Sequence, residues 1–574
     1  MILTNYLIGF IEDNAGLFSL PRLISGLKGC TDFVGYPTGL CQNLLASNQP
    51  LIFIPAFLLA KLVDSVLAYN LIVLGGTALN FFFAFRFFKK LFGRSIAVLL
   101  VSILLTSPFL AYQSRSHFDL LQFWSVIWFL DTLFFSQSRY KAVFLGLLLT
   151  LIMGISNYLG YFTILFTACY LIFSFLTRPD KILSLRLNCS RVIKSAMVFT
   201  LTSLFFMAPY IEANFFTPRI RVEENINDKA INRPFEDFIT FSSRPWYYLL
   251  PSIDNPFFGG LSHDVLDRLA SGGNYLTQNY FKAEHSASYL GWVNLSLALV
   301  GLVGSGMLCR STKHPTNIIN YLAILLTIVG LIILTMPPAM IVNEVTIYTP
   351  SYLLFKIFPM FRVLARAGVL ILFLTLIFTG YGYLAVVNLA IAKKIPRRLV
   401  QSTLLFLALV SVAEFFIPLK ITHVGIPPKV YAYIGATDPL KSPMVIYPYN
   451  KTNEAFFWLT VHKQPLINPR FYEDRKTGFV SEDFTNLLNT VRGLEKARNM
   501  GAKYLVYFYT DDAGESADFF ATSPLLTRVE EFKEGDQEKQ RVIVSRIIPP
   551  TNAFLRIVEA GSTVSNSAIL YKFR

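Results

Sequence analysis

Three small groups of polar residues stand out from a very apolar chain, and their types suit acid–base chemistry on an anionic substrate. Glu12 and Asp13 are adjacent carboxylates, followed by the turn-rich run GCTDFVGYPTGL at 29–40. The segment QSRSHFD brings Arg115, His117 and Asp119 close together in sequence. In FPMFRVLARAG, Arg362 and Arg366 stand one helical turn apart, on one face if a helix has begun there. A carboxylate can take a proton from an attacking hydroxyl, while guanidinium groups hold and stabilise a departing phosphate through paired N–H donors. Each group also has a plain structural use. Glu12 and Asp13 suit a solvated loop or a helix cap. Arg115, His117 and Asp119 can pair with one another at an interface, and Arg362 with Arg366 can anchor headgroups. In the run SSRPWYYLLPSIDNPFFGG and just beyond it, Arg244, Asp254 and His263 suit the folding of a loop better than the lining of a groove.

The elements that position these groups are set by the apolar residues. Hydrophobic types make up 53% of the 574 residues and charged types 15%, too few to cover the surface of a water-soluble fold of that size. About ten uncharged stretches are each long enough to cross a bilayer core of roughly 30 Å. They fall near 68–85, 96–112, 118–135, 140–156, 158–176, 192–214, 288–309, 317–336, 367–391 and 399–420. The net charge of +15 would ordinarily raise nucleic acid as a partner, but its placement excludes that reading. Arg86, Lys89, Lys90 and Arg94 form one cluster, Arg139 and Lys141 a second, and Arg178, Lys181, Arg186, Arg191 and Lys194 a third. Arg310 with Lys313, and Lys393, Lys394, Arg397 and Arg398, form the others. With these spans every cluster falls in a connection on one side, as the positive-inside rule requires of cytoplasmic loops. The loops near 113–117, 216–287 and 337–366, and everything after 420, then face outward. No charge separates Lys141 from Arg178, so SNYLG at 156–160 must turn one helix into two.

Residues 50–67 are apolar, but Pro55, Lys61 and Asp64 argue for an interfacial or re-entrant helix. MILTNYLIGF lacks the basic start of a cleavable signal and runs straight into Glu12, which raises the expectation of a missing upstream segment. Asp131 and Glu414, the charges nearest to lying within spans, are expected to snorkel or sit at the interface. The tail from 421 holds 19 Lys and Arg against 17 Asp and Glu, a balance that suits a soluble unit. Its pattern predicts an α/β arrangement: strands at 444–449 and 503–509, helices over 451–462 and 483–499, the second ending at Gly501, and two late strands around 534–536. Tyr447, Trp458, His462 and Tyr472 offer faces for sugar stacking, though the core of a small sheet is the better reading. Cys30 and Cys41 share the first outer segment, where a disulfide is chemically permitted. No phosphate-binding loop, dinucleotide fingerprint or HExxH is present. No cofactor is evident, and a divalent metal is neither required nor excluded.

Several stretches together resemble the multi-spanning, polyprenyl-phosphate-sugar-dependent glycosyltransferases of fold type C (GT-C), especially the bacterial branch with a carboxy-terminal soluble domain. They are YPTGL (36–40), AYNLIVL (68–74), SPFLAYQSRSHFDLLQFW (107–124), SNYLGYF (156–162), SYLGWVNLSLALVGL (288–302), FPMFRVLARAG (358–368), VHKQPLINPRFYEDR (461–475) and GAKYLVYF (501–508). The resemblance implies transfer of a sugar from a polyprenyl-phosphate donor to a glycan, lipid or protein acceptor on the outer face of the cell membrane. It carries the acceptor base to Asp13 or Glu12, a second acidic motif to Asp119 beside His117, and donor-phosphate contacts to Arg362 and Arg366, with Arg115 as a further substrate contact. The family begins with a full membrane helix before its acidic loop, whereas here only MILTNYLIGFI precedes Glu12.

The expectation is therefore an α-helical polytopic membrane protein of about ten transmembrane helices plus an interfacial helix, with a small carboxy-terminal α/β extracytoplasmic domain. Residues 1–67 form a first outer loop and interfacial helix, 68–420 the membrane domain and 421–574 the soluble domain. Two other functions fit the same organisation. One is a non-catalytic membrane protein that binds or assembles cell-envelope glycans, and the other a transporter of lipid-linked glycans.

Overall fold

The computed structural model describes residues 6–8, 49–63, 65–177, 182–211, 234–271, 283–308, 320–342, 345–424, 427–438, 441–469, 473–474, 479–508, 514–534, 540–546 and 570–573. Glu12, Asp13, Cys30, Cys41 and Tyr472 lie outside these residues. Long apolar runs become helices because a backbone in lipid must satisfy its own hydrogen bonds. The first half of the bundle is built from α1 (Pro50–Leu62), α2 (Ser65–Leu105), α3 (Pro108–Ser116), α4 (Trp124–Phe135), α5 (Lys141–Ile155), α6 (Asn157–Thr177) and α7 (Ile182–Ile211). After α8 (Phe235–Thr240) and α9 (Gly259–Ser271) come α10 (Trp292–Leu308), α11 (Tyr321–Thr335), the hairpin β2–β3 (Ala339–Val342, Val345–Tyr348), α12 (Ser351–Ile357), α13 (Gly368–Ala392) and α14 (Arg397–Phe415). Among the described residues six helices are long and apolar enough to cross a membrane, and α1, α4, α5 and α11 are shorter apolar helices.

The structure corrects the sequence reading at three places. Arg86, Lys89 and Lys90 were expected in a loop after residue 85 but ride on α2, which stays helical until Gly93 turns the backbone at φ 78°. No atom lies within 4 Å of a Cβ built there, so the glycine is needed for its left-handed conformation and not for space. From Ser65 to Phe92 the helix measures about 40 Å at 1.5 Å per residue, so its basic last turns overshoot a ~30 Å core and reach headgroups without a loop. The crossing expected over 96–112 is divided, because Pro108 begins α3 and cannot continue the ladder of the preceding helix. The span expected from 118 starts only at Trp124, after a turn. Between α5 and α6 the predicted break occurs, with Ser156 extended.

α13 is the axis of the bundle. Every residue from Gly368 to Tyr383 is buried, as expected of a helix apolar all round. Phe373 meets Phe87, Phe88 and Phe123 with ring centroids 5.0, 5.1 and 5.9 Å away. On another face α10 approaches backbone to backbone: a Cβ on Gly301 would lie 2.0 Å from the Phe378 carbonyl, and one on Gly382 2.0 Å from the Leu297 carbonyl. Reciprocal glycines are how membrane helices come close enough to pack by van der Waals contact. Gly382→Ala is expected to lower stability by about 1–3 kcal/mol through forced separation of the two helices, read as a drop in the thermal transition of the detergent-solubilised protein; Gly260→Ala, which meets nothing within 4 Å, leaves the transition in place.

Beyond α14 the chain builds a five-stranded sheet from β5 (Met444–Tyr447), β8 (Tyr504–Phe508), β9 (Leu526–Glu534), β10 (Gln540–Arg546) and β11 (Leu570–Phe573). β5 and β8 pair in parallel, β8 and β10 antiparallel, and β10 and β9 antiparallel. All of β8 is buried because both faces are covered. Val445, Leu505 and Tyr507 pack with Phe484, Leu494 and Phe520 from α18 (Ser481–Leu487), α19 (Val491–Asn499) and α20 (Gly514–Thr522). Ile446, Tyr504 and Val506 pack with Val430, Tyr431 and Ile434 of α15 (Lys429–Thr437) and with Ala455 of α16 (Thr452–Phe457). The alternation follows the two-residue period of a strand. The predicted strands are present within a few residues, but the helix expected over 451–462 is divided at Trp458 into α16 and α17 (Leu459–His462), and that expected over 483–499 is divided at 488–490 into α18 and α19, with Gly501 at φ 88° after α19; β6 (Glu473–Asp474) and β7 (Phe479–Val480) form a short antiparallel pair.

Candidate functional site

One end of the bundle gathers the described candidate residues. β1 (Tyr6–Ile8) pairs antiparallel with β4 (Ile421–His423), just past the end of α14, and the Ile8 amide donates to Asn70 Oδ1 at 3.0 Å near the start of α2. The same end holds Arg115, on the last turn of α3, which donates through Nη2 to the Pro418 carbonyl at 2.9 Å. Its Nη1 reaches Asp254 Oδ2 at 3.3 Å, an oxygen that also accepts from the Tyr112 hydroxyl at 2.7 Å. The guanidinium lies over the Tyr112 ring, 4.9 Å from its centroid. Arg115 therefore pairs across the fold with Asp254 and not with its sequence neighbour Asp119.

Asp119 sits in the turn after α3 and is largely buried, accepting from Gln49 Nε2 at 2.9 Å. Phe118 beside it touches Phe53 of α1 and Tyr69 of α2, with centroids 5.7 and 5.9 Å away. Both helices thus start beside one turn. His117 is half-buried in the same turn.

Arg362 and Arg366 do not share a helical face. A 3-10 turn at Leu364–Ala367 precedes α13, so the regular helix begins only at Gly368. Arg362 forms an ion pair with Asp237 of α8 and lies 5.1 Å from the Phe241 ring centroid. Arg366 lies 4.7 Å from the ring centroid of Tyr158 at the start of α6. Between them Phe361 stacks on Tyr161 at 4.2 Å. The loop around them is pinned by a bond from the Ala365 amide to the Phe241 carbonyl at 3.1 Å and from the Ser243 amide to the Thr335 carbonyl at 2.8 Å. The site so built offers two guanidinium groups on an aromatic bed, with a carboxylate, Asp237, that holds one of them in place. Sequence reading missed Asp237 because its partner is 125 residues away; the Pro234-Phe-Glu-Asp helix start was the one local signal.

Two charges expected near interfaces are covered by neighbouring residues. Asp131 is 4% exposed and pairs with Lys90 and, at 3.3 Å, with Arg86 from α2, at the end of the bundle opposite the candidate site. Glu414 is 2% exposed near the end of α14, accepting from the Val293 amide at 3.3 Å and the Tyr289 hydroxyl at 3.4 Å. His263 is on α9. Among the described residues no three His, Cys, Asp or Glu side chains converge as a metal site would require.

In the tail, His462 is fully buried under Tyr431, with Nε2 donating to the Ala455 carbonyl at 2.8 Å and Nδ1 accepting from the Gln464 amide at 3.0 Å. That fixes a neutral ring and removes it from any sugar platform. Burial pushes its pKa down to about 4 from an ordinary 6.5. Between those values the unfolded chain binds the proton and the folded one does not, so stability is complete above about pH 6.5 and falls as pH drops toward 4, by about 3 kcal/mol in all. Burial alone would raise the carboxyl of Asp438, but hydrogen bonds from Ser442, Lys503 and Tyr504 and the Lys503 charge outweigh it and hold it low, so its contribution is lost only below about pH 4. Amide-exchange protection of β5 and β8 in the full chain is expected to fall between pH 6.5 and 4, and His462→Gln to flatten that slope.

No protein-family model and no curated protein matches the chain. Among solved structures it is similar to the oligosaccharyltransferase of Archaeoglobus fulgidus in the apo form, with 12% identity over 90% of this chain and 67% of that one and a TM-score of 0.47. The same enzyme described with Zn and sulfate matches at 11% identity and a TM-score of 0.45, this chain spanning 65% of its length. ArnT from Cupriavidus metallidurans, bound to undecaprenyl phosphate, matches at 12% identity over 95% of this chain and 94% of that one, with a TM-score of 0.46. These neighbours are GT-C glycosyltransferases, the class that the sequence motifs resemble.

Proposed function

We propose that the chain is a membrane glycosyltransferase of the GT-C type, moving a sugar from a polyprenyl-phosphate donor to a glycan, lipid or protein acceptor on the outer face of the cell membrane. The observation that carries the reading is the gathering of polar groups at one end of the bundle. Ile8, four residues before Glu12 in sequence, is held beside β4 and Asn70 at the end where Arg115, Asp119, Arg362 and Arg366 also stand. Among the described residues the basic clusters lie at the other end, which supports an outward-facing site by the positive-inside rule. The tail from 421, with its near-balanced charge, then forms a soluble extracytoplasmic domain that contacts the acceptor.

In this mechanism Asp13 takes the proton from the acceptor as its oxygen or nitrogen attacks the anomeric carbon. The bond from that carbon to the phosphate oxygen breaks on the opposite face, its electron pair goes to the polyprenyl phosphate, and the sugar configuration inverts. Arg362 and Arg366 bind the phosphate as its charge grows. Asp237 holds Arg362 by one edge of a guanidinium that carries five N–H donors and so keeps others for the phosphate. Glu12 is the alternative base, and Asp119 beside His117 supplies the second acidic motif of the site.

The test is turnover. Purified protein in vesicles, supplied with radiolabelled undecaprenyl-phosphate hexose and cell-envelope acceptors, is expected to release undecaprenyl phosphate and label an acceptor. Binding of the donor with no turnover of any such sugar would replace this reading with a glycan-binding or assembly protein, and movement of intact donor across sealed vesicles would replace it with a transporter.

A further inference from the structure

A second place on the molecule has the build of a lipid site, at the end of the bundle opposite the candidate active site. A cavity of about 400 Å³ opens between α4, α5, α6 and α7, within the range of about 300–1,000 Å³ common to small-molecule sites. Its walls are apolar, with Leu145, Leu149, Ala168 and Phe199 among them, and two cations, Lys141 and Arg191, line it as well.

The helix register puts those cations side by side. α5 and α7 run in the same direction: a Cβ on Gly146 would meet the Ser195 carbonyl at 2.6 Å, and Thr150 Oγ1 lies 2.6 Å from Thr202 Oγ1. One turn back along both helices stand Lys141 and Arg191. The Lys141 ammonium donates to the Leu133 carbonyl at 2.6 Å at the end of α4, which fixes its position and leaves it further donors. Among the described residues no carboxylate pairs with either cation, whereas Lys90 and Arg86 nearby are matched by Asp131. A greasy slot with two cations at one end is complementary to a molecule with an apolar chain and an anionic head.

We propose that this cavity holds an anionic phospholipid of the surrounding bilayer, with an acyl chain between α5, α6 and α7 and its phosphate against Lys141 and Arg191. Basic pockets between membrane helices on the side of the positive loops bind such headgroups. The site stands apart from the sugar-transfer reading and does not depend on it.

The test uses the full chain in nanodiscs, with lipids that remain bound after detergent extraction identified by native mass spectrometry. From equal mixtures of dioleoyl phosphatidylglycerol and dioleoyl phosphatidylcholine the wild type is expected to retain the former about thirtyfold over the latter, the enrichment that about 1 kcal/mol for each of two cations gives at a surface. Lys141→Gln with Arg191→Gln is expected to abolish the preference. Ala168→Phe, which keeps both cations and fills the apolar slot, is expected to lower retention of both lipids and guards against a double variant that fails to fold. Equal retention of the two lipids by the wild type, or an undiminished preference in the glutamine variant, overturns the proposal. Preferential retention of undecaprenyl phosphate over phosphatidylglycerol, tested in a third mixture, overturns it too.

Discussion

Asp13→Asn is expected to lower sugar transfer by at least about 10²–10⁴-fold, the usual share of a positioned general base, while the protein still inserts and folds. The amide keeps the size of the side chain and its capacity to accept one hydrogen bond, but it cannot take up the acceptor proton. An acceptor hydroxyl is then left to attack the anomeric carbon with its proton in place. The expected signature is a fall in kcat with little change in donor affinity, since the carboxylate is asked to act only as the proton moves. Glu12→Gln, one residue away, is expected to cost much less. Unchanged turnover in Asp13→Asn, with normal membrane insertion, would remove the assignment of Asp13.

The second large effect is expected at Arg362. Arg362→Ala removes a cation from the phosphate that gains charge as the glycosidic bond breaks, and loss of such a group costs about 10²–10³-fold in kcat. Arg362→Lys keeps the charge but not the planar fork. It is expected to recover only part of the loss, because one ammonium cannot serve both Asp237 and the phosphate with the same geometry. Asp237→Asn is expected to weaken donor binding and turnover together by releasing Arg362 from its place over Phe241. Arg398→Ala, in the first turn of α14 at the opposite end, leaves turnover unchanged. A full-rate Arg362→Ala enzyme would show that the phosphate is held elsewhere.

Much of the bundle could be read from sequence because lipid imposes a simple rule. An unbroken run such as GVLILFLTLIF has no solvent-facing alternative, and it became the buried axis α13. The turn at Ser156 was visible because two crossings cannot share one helix. What could not be read were the pairings made by folding itself. The ion pair of Asp131 was one of them, because Lys90 lies 41 residues earlier. Arg362 and Arg366 were placed on one face by their spacing alone; the structure separates them because Pro359 sits in a turn and the helix starts after them.

The tail shows the same division. Its strands and amphipathic helices were legible from period and from Gly501, and the alternation in β8 was fulfilled on both faces. His462 offered an aromatic face in the sequence, but in the fold its two ring nitrogens are bound to the backbone within a closed core. A titratable ring that carries no visible charge partner in sequence can equally be a catalytic or a structural group, and only the surrounding packing decides. The proposed base is the reverse case: Asp13 was named by type and resemblance, and its proposed role requires that it share one side of the membrane with Asp119 and the tail.

That requirement is measurable directly. In a chain whose native cysteines are replaced, single cysteines at Asp13, His117 and Asn450 are exposed to a membrane-impermeant maleimide outside intact cells, with a cysteine at Lys394 as the inward control. The account predicts labelling at 13, 117 and 450 and none at 394. Labelling at 450 without labelling at 13, together with reaction at 13 once the membrane is opened, would contradict it.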